Sequence, residues 1–158
     1  MDKIKTIKTE TEELLAKMIN KFEVEVTDDG GVFQVIIKTD EEVSTVIGRH
    51  GETIRAIQKI LEVIFFKKFN EPMNILVNVN DYREKQKERL ESMAREYADS
   101  TKSTGNEGYI RNLSSYERKL IHEYITANYP ELATSSVGEG RERYLVISVK
   151  DKKPETSE

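Results

Sequence analysis

The chain has 158 residues, no cysteine and two histidines, and its 25 basic against 29 acidic side chains leave a net charge of −4. That length holds one medium domain or two small ones. The composition excludes a disulfide framework, a thiol nucleophile, an iron–sulfur cluster and any thiolate zinc site, and it supplies no bulk positive charge, so a nucleic-acid surface would have to be local. His50 and His122 lie far apart in sequence, each without a neighbouring group of ligand-type residues, so neither a metal nor another cofactor is expected. The longest apolar runs, such as Val63 to Phe66, are far shorter than the roughly 20 residues that span a bilayer. The opening MDKIKTIKTETEELL lacks the apolar stretch and cleavage site of a secretory signal. The expectation is a soluble, cytoplasmic protein with no insertion into membranes.

In chain order, Leu14, Leu15, Met18 and Ile19 share a stripe that predicts a helix from Glu10 to Asn20, capped by Thr9 or Thr11. Phe22 to Val26 alternates, Asp28-Asp29-Gly30-Gly31 reads as a turn, and Val32 to Ile37 is β-branched, which together predict a hairpin. A short helix fits Glu41 to Ile47 and stops at Gly48. A second apolar period then runs through Ile54, Ile57, Ile60, Leu61, Ile64 and Phe65, with Arg55, Gln58, Lys59 and Glu62 outward. Asn70-Glu71-Pro72 ends it, and Asn74 to Asn80 reads as a third strand. The first half is α-β-β-α-α-β.

From Tyr82 the composition changes. Tyr82, Gln86, Leu90, Met93, Tyr97 and Ala98 make a narrow stripe on a charged helix that either connects or caps two units, and residues 100 to 105 read as loop. A short strand follows around Tyr109 to Arg111. Ser114-Ser115-Tyr116-Glu117 fits a capping box opening a helix that stops near Asn128, before Pro130. Leu132 to Val137 and Arg143 to Val149 flank Gly138-Glu139-Gly140 as a hairpin, and residues 151 to 158 are a polar tail. The second half is α-β-α-β-β. Residues 1–82 carry 11 basic and 15 acidic side chains and residues 83–150 carry 12 and 11, so the second half is the less acidic.

Two constellations carry chemistry. Gly48-Arg49-His50-Gly51 has a spacing that eight glycines produce about 0.4 times by chance, and Gly105-Asn106-Glu107-Gly108 repeats it in an acidic context. Its setting distinguishes it, because Val46-Ile47 precede it and an amphipathic helix follows at once. Two glycines let a backbone approach a sugar–phosphate chain without a Cβ in the way, and Arg49 and His50 add charge. Ile47 and Ile54 are placed to floor an apolar groove for unstacked bases. The same residues also fit a plain tight turn between helices. The second constellation is Arg118 and His122, which at i and i+4 project from one helical face and can touch one phosphate; a solvated polar face has the same pattern.

Val46-Ile47-Gly48-Arg49-His50-Gly51-Glu52-Thr53-Ile54 resembles the signature loop of a KH domain, and the element order resembles the bacterial type II arrangement. Residues 112–122 and 134–147 resemble the R-three-H domain, named for an arginine and a histidine that match Arg118 and His122. Arg143 matches a further basic position, and Ser136 is a weaker match. The resemblance implies an α+β protein of two small domains, a type II KH domain (1–82) and an R-three-H domain with its leading helix (83–150). Such a pair is similar to the bacterial Jag family, also called KhpB or SpoIIIJ-associated. That resemblance implies binding of single-stranded RNA, with single-stranded DNA as a further candidate, by an RNA chaperone or regulator linked to cell shape, envelope or division. The family also implies a small KH-only partner and a homo- or hetero-dimer. Its members usually carry a separate N-terminal Jag domain, which is expected to be missing here because the first-domain helix begins almost at once.

The expected binding residues are therefore Ile47, Gly48, Arg49, His50, Gly51, Ile54, Arg118, His122 and Arg143, with none catalytic and none a metal ligand. Tyr116 and Tyr144, nearest in sequence to the basic pair, are candidates for stacking on bases. A protein-interaction adaptor, whose KH domain pairs with another KH subunit, is the alternative class. Enzymatic activity is not expected, because only Glu117 and Glu123 lie near the Arg–His pair and both fall off its helical face.

Overall fold

The computed structural model describes residues 2–150, so the expected polar tail lies outside the described residues. The chain divides into two compact units, one ending at Arg83 and one starting at Glu84, each mixing helices and strands in the α+β manner. The element orders are those the sequence predicts, α-β-β-α-α-β and then α-β-α-β-β.

In the first unit, α1 (Lys3–Leu15) starts earlier than predicted. Asp2 is the N-cap, its carboxylate accepting from the Lys5 amide. Thr9 and Thr11 are interior residues whose hydroxyls donate to the carbonyls of Lys5 and Ile7, four residues back, which is why neither caps the helix. Ile7, Thr11 and Leu15 make its buried stripe. β1 (Glu23–Asp29) and β2 (Val32–Lys38) pair antiparallel, and Asp28 and Asp29 belong to the strand rather than the turn. The two-residue loop Gly30-Gly31 takes positive φ at both positions, as the right-handed twist of a tight hairpin requires.

β3 (Asn74–Val79) lies on the other side of β2 and runs parallel to it, Val35 facing Val77. A parallel pair cannot be joined by a tight turn, so the chain crosses over through α2 (Val43–Ile47), a 3-10 turn at Arg49–Gly51, and α3 (Glu52–Phe69). The glycine loop thus sits in the middle of a crossover. Ile54, Ile57, Leu61 and Phe65 of α3 join Ile7 and Leu15 of α1 and Phe33, Val35, Ile37, Ile75, Val77 and Val79 of the sheet in one core. Each such side chain contributes about 1.5–3 kcal/mol of burial. Two details of α3 differ from its sequence pattern. Ile60 is 47% exposed, in a row with Val63 and Phe66 at 60% and 55%. Gln58 turns inward, its Oε1 accepting from the Val77 amide at 3.1 Å and from Arg83.

The second unit opens within α4 (Tyr82–Thr104), whose buried residues Leu90, Ala94, Ala98 and Thr101 place its face in this unit's core. The helix runs through the segment predicted as loop. Thr101 is buried, Thr104 donates back to the Ser100 carbonyl, and Gly105, at φ +73°, closes the helix by donating to the Thr101 carbonyl at 2.8 Å. β4 (Gly108–Ile110), β5 (Leu132–Val137) and β6 (Tyr144–Val149) form a sheet in the order β4-β6-β5, antiparallel throughout.

Between β4 and β5 runs α5 (Ser115–Asn128). It is capped by the box the sequence predicts, with Ser114 accepting from the Glu117 amide and the Glu117 carboxylate accepting from the Ser114 amide. Leu90, Ala94 and Ala98 of α4 and Ile121 and Ile125 of α5 pack with Ile110, Leu132, Leu145 and Ile147, so both helices cover one face of the sheet. Lys102 and Glu131 form an ion pair at 2.8 Å between the end of α4 and the start of β5. Their hydrogen bond raises the Lys102 ammonium and lowers the Glu131 carboxyl.

Candidate nucleic-acid interface

The 48–51 loop is built by backbone constraint. Gly48 ends α2 by donating to the Ser44 carbonyl at 2.9 Å, with φ +70° and ψ 178°, a conformation reserved to glycine. A Cβ there would collide with Thr53 Oγ1 and stand 2.9 Å from the Thr53 amide nitrogen. His50 and Gly51 both take left-handed conformations, at φ 54° and 74°, and a Cβ on Gly51 would meet the Tyr82 hydroxyl at 3.1 Å. Arg49 is exposed at the tip and His50 is half-buried. Arg55, read as merely outward, reaches back one turn, its Nη1 donating to the His50 carbonyl at 2.9 Å. It sets the loop's shape and adds a second permanent charge.

The two apolar residues expected to floor a groove part company. Ile47 is half-buried and keeps some surface, whereas Ile54 is 2% exposed and packs into the core. Ile54 therefore offers no face to a base, which corrects the sequence expectation. It faces inward because it shares the Ile57–Leu61–Phe65 stripe of α3, and it supports the loop's helix from beneath.

In the second unit Arg118, His122 and Arg143 converge. A cleft of about 440 Å³ between α5 and the β5–β6 hairpin is lined by all three, together with Lys119, Thr134 and Ser136. Helical spacing brings Arg118 and His122 to one side of it, and the register Ser136↔Leu145 brings the start of β6 to the other. Each basic side chain is tethered by a neutral group. Arg118 Nη1 donates to the Leu113 carbonyl at 2.8 Å, Arg143 Nη1 donates to the Gly138 carbonyl at 2.8 Å, and His122 Nδ1 is hydrogen-bonded to Thr134 Oγ1. Among the described residues no carboxylate pairs with Arg118 or Arg143, so their charge is oriented without being neutralised. Lys119 is partly compensated by Glu123, 3.8 Å away on the next turn.

Glu117 has a different role from its neighbours. It is 1% exposed and accepts from Ser114, Gln86 and Arg89, so it is a buried structural carboxylate that joins α5 to α4. Lys119, Thr134 and Arg55 are the site residues that sequence reading passed over. A basic side chain at i+1 of Arg118 was visible, but the Thr134 contact depends on tertiary pairing. Tyr116 is exposed on α5, whereas Tyr144 does not enter the cleft. Residues alternate faces along a strand, so Tyr144 points to the side of the sheet opposite its neighbours Arg143 and Leu145. Among the described residues no group of three or more His, Asp or Glu could hold a metal ion, and no helix is long and apolar enough to cross a membrane.

Residues 88–149 match the R-three-H domain, which spans α4 from its second turn through β6. The chain thus carries an R-three-H domain. It is 33% identical over 114 residues to the RNA-binding protein KhpB of Bacillus subtilis, covering 71% of this chain and 54% of that protein. To the RNA-binding protein KhpB of Lactiplantibacillus plantarum it is 32% identical over 104 residues (66% of this chain, 32% of that protein). To that of Streptococcus pneumoniae it is 26% identical over 147 residues (91% and 44%). Over most of its length the chain is thus similar to these KhpB, or Jag-family, proteins. It spans between about a third and just over half of the length of the curated relatives it matches.

Proposed function

We infer that this protein is a non-enzymatic, cytoplasmic RNA-binding regulator that grips a single strand with two surfaces. One is the Gly48–Gly51 loop of a type II KH domain, the other the Arg118–His122–Arg143 cleft of the R-three-H domain. The observation that carries the reading is the cleft itself, in which three basic side chains are held by neutral hydrogen-bond partners and the two arginines keep donors to spare. Such an array suits phosphate oxygens, and the relatives' name as RNA-binding proteins supports RNA as the polyanion. At the loop, exposed Arg49 and half-buried Ile47 supply charge and an apolar ledge beside a backbone stripped of Cβ atoms.

Each surface offers few cations, so each binds weakly, at roughly micromolar strength, and the two on one chain reinforce each other. About three to five phosphate contacts give a moderate salt dependence. The test is anisotropy of a labelled 12-nucleotide RNA at low salt. Gly48→Asp/Gly51→Asp and Arg118→Ala/His122→Ala are each expected to weaken binding at least tenfold, and unchanged affinity in both would sink the reading. Repeating it with DNA of the same sequence ranks the two polymers.

A second reading, an adaptor that pairs with a small KH-only partner, is favoured by the exposed Ile60–Val63–Phe66 row on α3. Val63→Glu would then abolish partner capture and leave RNA affinity unchanged.

A further inference from the structure

The sheet of the second unit has a face that neither α4 nor α5 covers. Strand alternation and the pairing of Tyr109 with Val146 and of Val137 with Tyr144 put Tyr109, Val137 and Tyr144 on it together. Tyr109 and Val137 are 47% and 42% exposed. The two tyrosine rings meet edge to face with centroids 5.9 Å apart, and the Arg111 guanidinium lies over the Tyr144 ring at 4.5 Å. Beside them is a cleft of about 500 Å³ lined by Arg111, Asn112, Glu139, Arg141, Glu142 and Tyr144. The Gly138–Arg143 turn separates this cleft from the Arg118–His122 cleft and belongs to both, since Gly138 lines one while its carbonyl holds Arg143 in the other.

We propose that this second cleft is a nucleobase site, in which a base of the strand held at Arg118–His122 passes around the β5–β6 turn and stacks on Arg111. The proposal rests on the RNA-binding reading and deepens it. Arg111 is exposed, and Tyr144 holds its guanidinium as a flat, charged plate on which a base can stack, a mode in which arginine and aromatic rings serve alike. The two carboxylates point to a base rather than to backbone. Glu139 and Glu142 repel a phosphate, but they accept hydrogen bonds from the exocyclic amino group of a base, as Asp and Glu do from cytosine. The site therefore favours cytosine over uracil, which presents a carbonyl at that position. Arg143 and Tyr144 are consecutive on opposite faces, so the phosphate at one and the base at the other lie about one or two nucleotides apart along the strand.

The test uses the full chain with labelled oligo(C) and oligo(U) 12-mers at low salt. Oligo(C) is expected to bind about tenfold more tightly than oligo(U), and Glu139→Ala/Glu142→Ala to abolish that preference. Arg111→Ala and Arg111→Lys are each expected to weaken oligo(C) binding about tenfold with an unchanged thermal midpoint, since both remove the plate and only one removes the charge. If both Arg111 variants bind like the parent while Arg118→Ala/His122→Ala does not, the base site is refuted and the phosphate cleft stands. Full affinity in Arg111→Lys alone refutes stacking in favour of simple charge. If the parent chain binds neither oligomer, the RNA reading falls and this proposal with it.

Discussion

Arg55 Nη1 donates to the carbonyl oxygen of His50 across 2.9 Å, so the helix that follows the glycine loop also holds the loop in shape. The bond is exposed to water, which competes for both partners, so its net worth to folding is small. Arg55→Ala is expected to leave the urea midpoint nearly unchanged but to speed amide hydrogen exchange at Gly51, whose N–H donates to Gly48 at only 3.3 Å. Unaltered protection there would show that the glycines alone define the loop.

Gly48→Ala should be far more damaging than the same change at Gly140. Both have positive φ, but the Gly140 Cβ would enter open space, whereas at Gly48 it collides with Thr53. The backbone strain alone is about 1–3 kcal/mol, and the collision adds to it. Thr53→Ala removes the Oγ1 clash and leaves the one with the amide, so the double variant recovers only part of the loss. Equal melting temperatures for the alanine variants at 48 and 140 would contradict this.

Glu117→Ala is expected to destabilise the protein by about 2–4 kcal/mol, because it removes half of the capping box and leaves Gln86 and Arg89 facing a buried void. Glu123→Ala, on the exposed side of the same helix, should cost under about 0.5 kcal/mol. Denaturant melts of the two variants check the contrast.

Tyr129 donates to Asp99 at 2.8 Å, and burial, with the Asp99 hydrogen bond adding to it, pushes its phenol up to about 12. The neutral form is therefore favoured in the folded state. Its stabilisation is complete below the ordinary tyrosine value near 10 and is lost as the pH rises from there through about 12. Ultraviolet difference titration should show a late tyrosine step near pH 12 that Tyr129→Phe loses.

Much of the architecture was legible because local signals agreed with tertiary ones. The Gly30-Gly31 hairpin and the Ser114–Glu117 box that opens α5 each have a short-range cause. Where reading failed, the missing information was long-range. Ser100 to Thr104 has the composition of a loop, yet burial of Thr101 keeps it helical. Ile60 has the spacing of a core residue, but the sheet meets α3 on the side of Ile57 and Leu61. The convergence of Arg143 on Arg118 and His122 was anticipated only through family resemblance, since nothing local in sequence links positions 25 apart. Thr134, which braces His122, and Arg111, which covers Tyr144, were invisible for the same reason.

The parallel pairing of β2 with β3 has a consequence for biosynthesis. The helices α2 and α3 that flank residues 48 to 51 pack on β3, whose pairing with β2 spans about forty residues of chain. A ribosome-bound fragment ending before Val79 holds the motif in its sequence but lacks the partner strand that anchors it. Completion of this half thus requires a contact distant in sequence, whereas the β5–β6 hairpin joins strands that neighbour each other along the polypeptide.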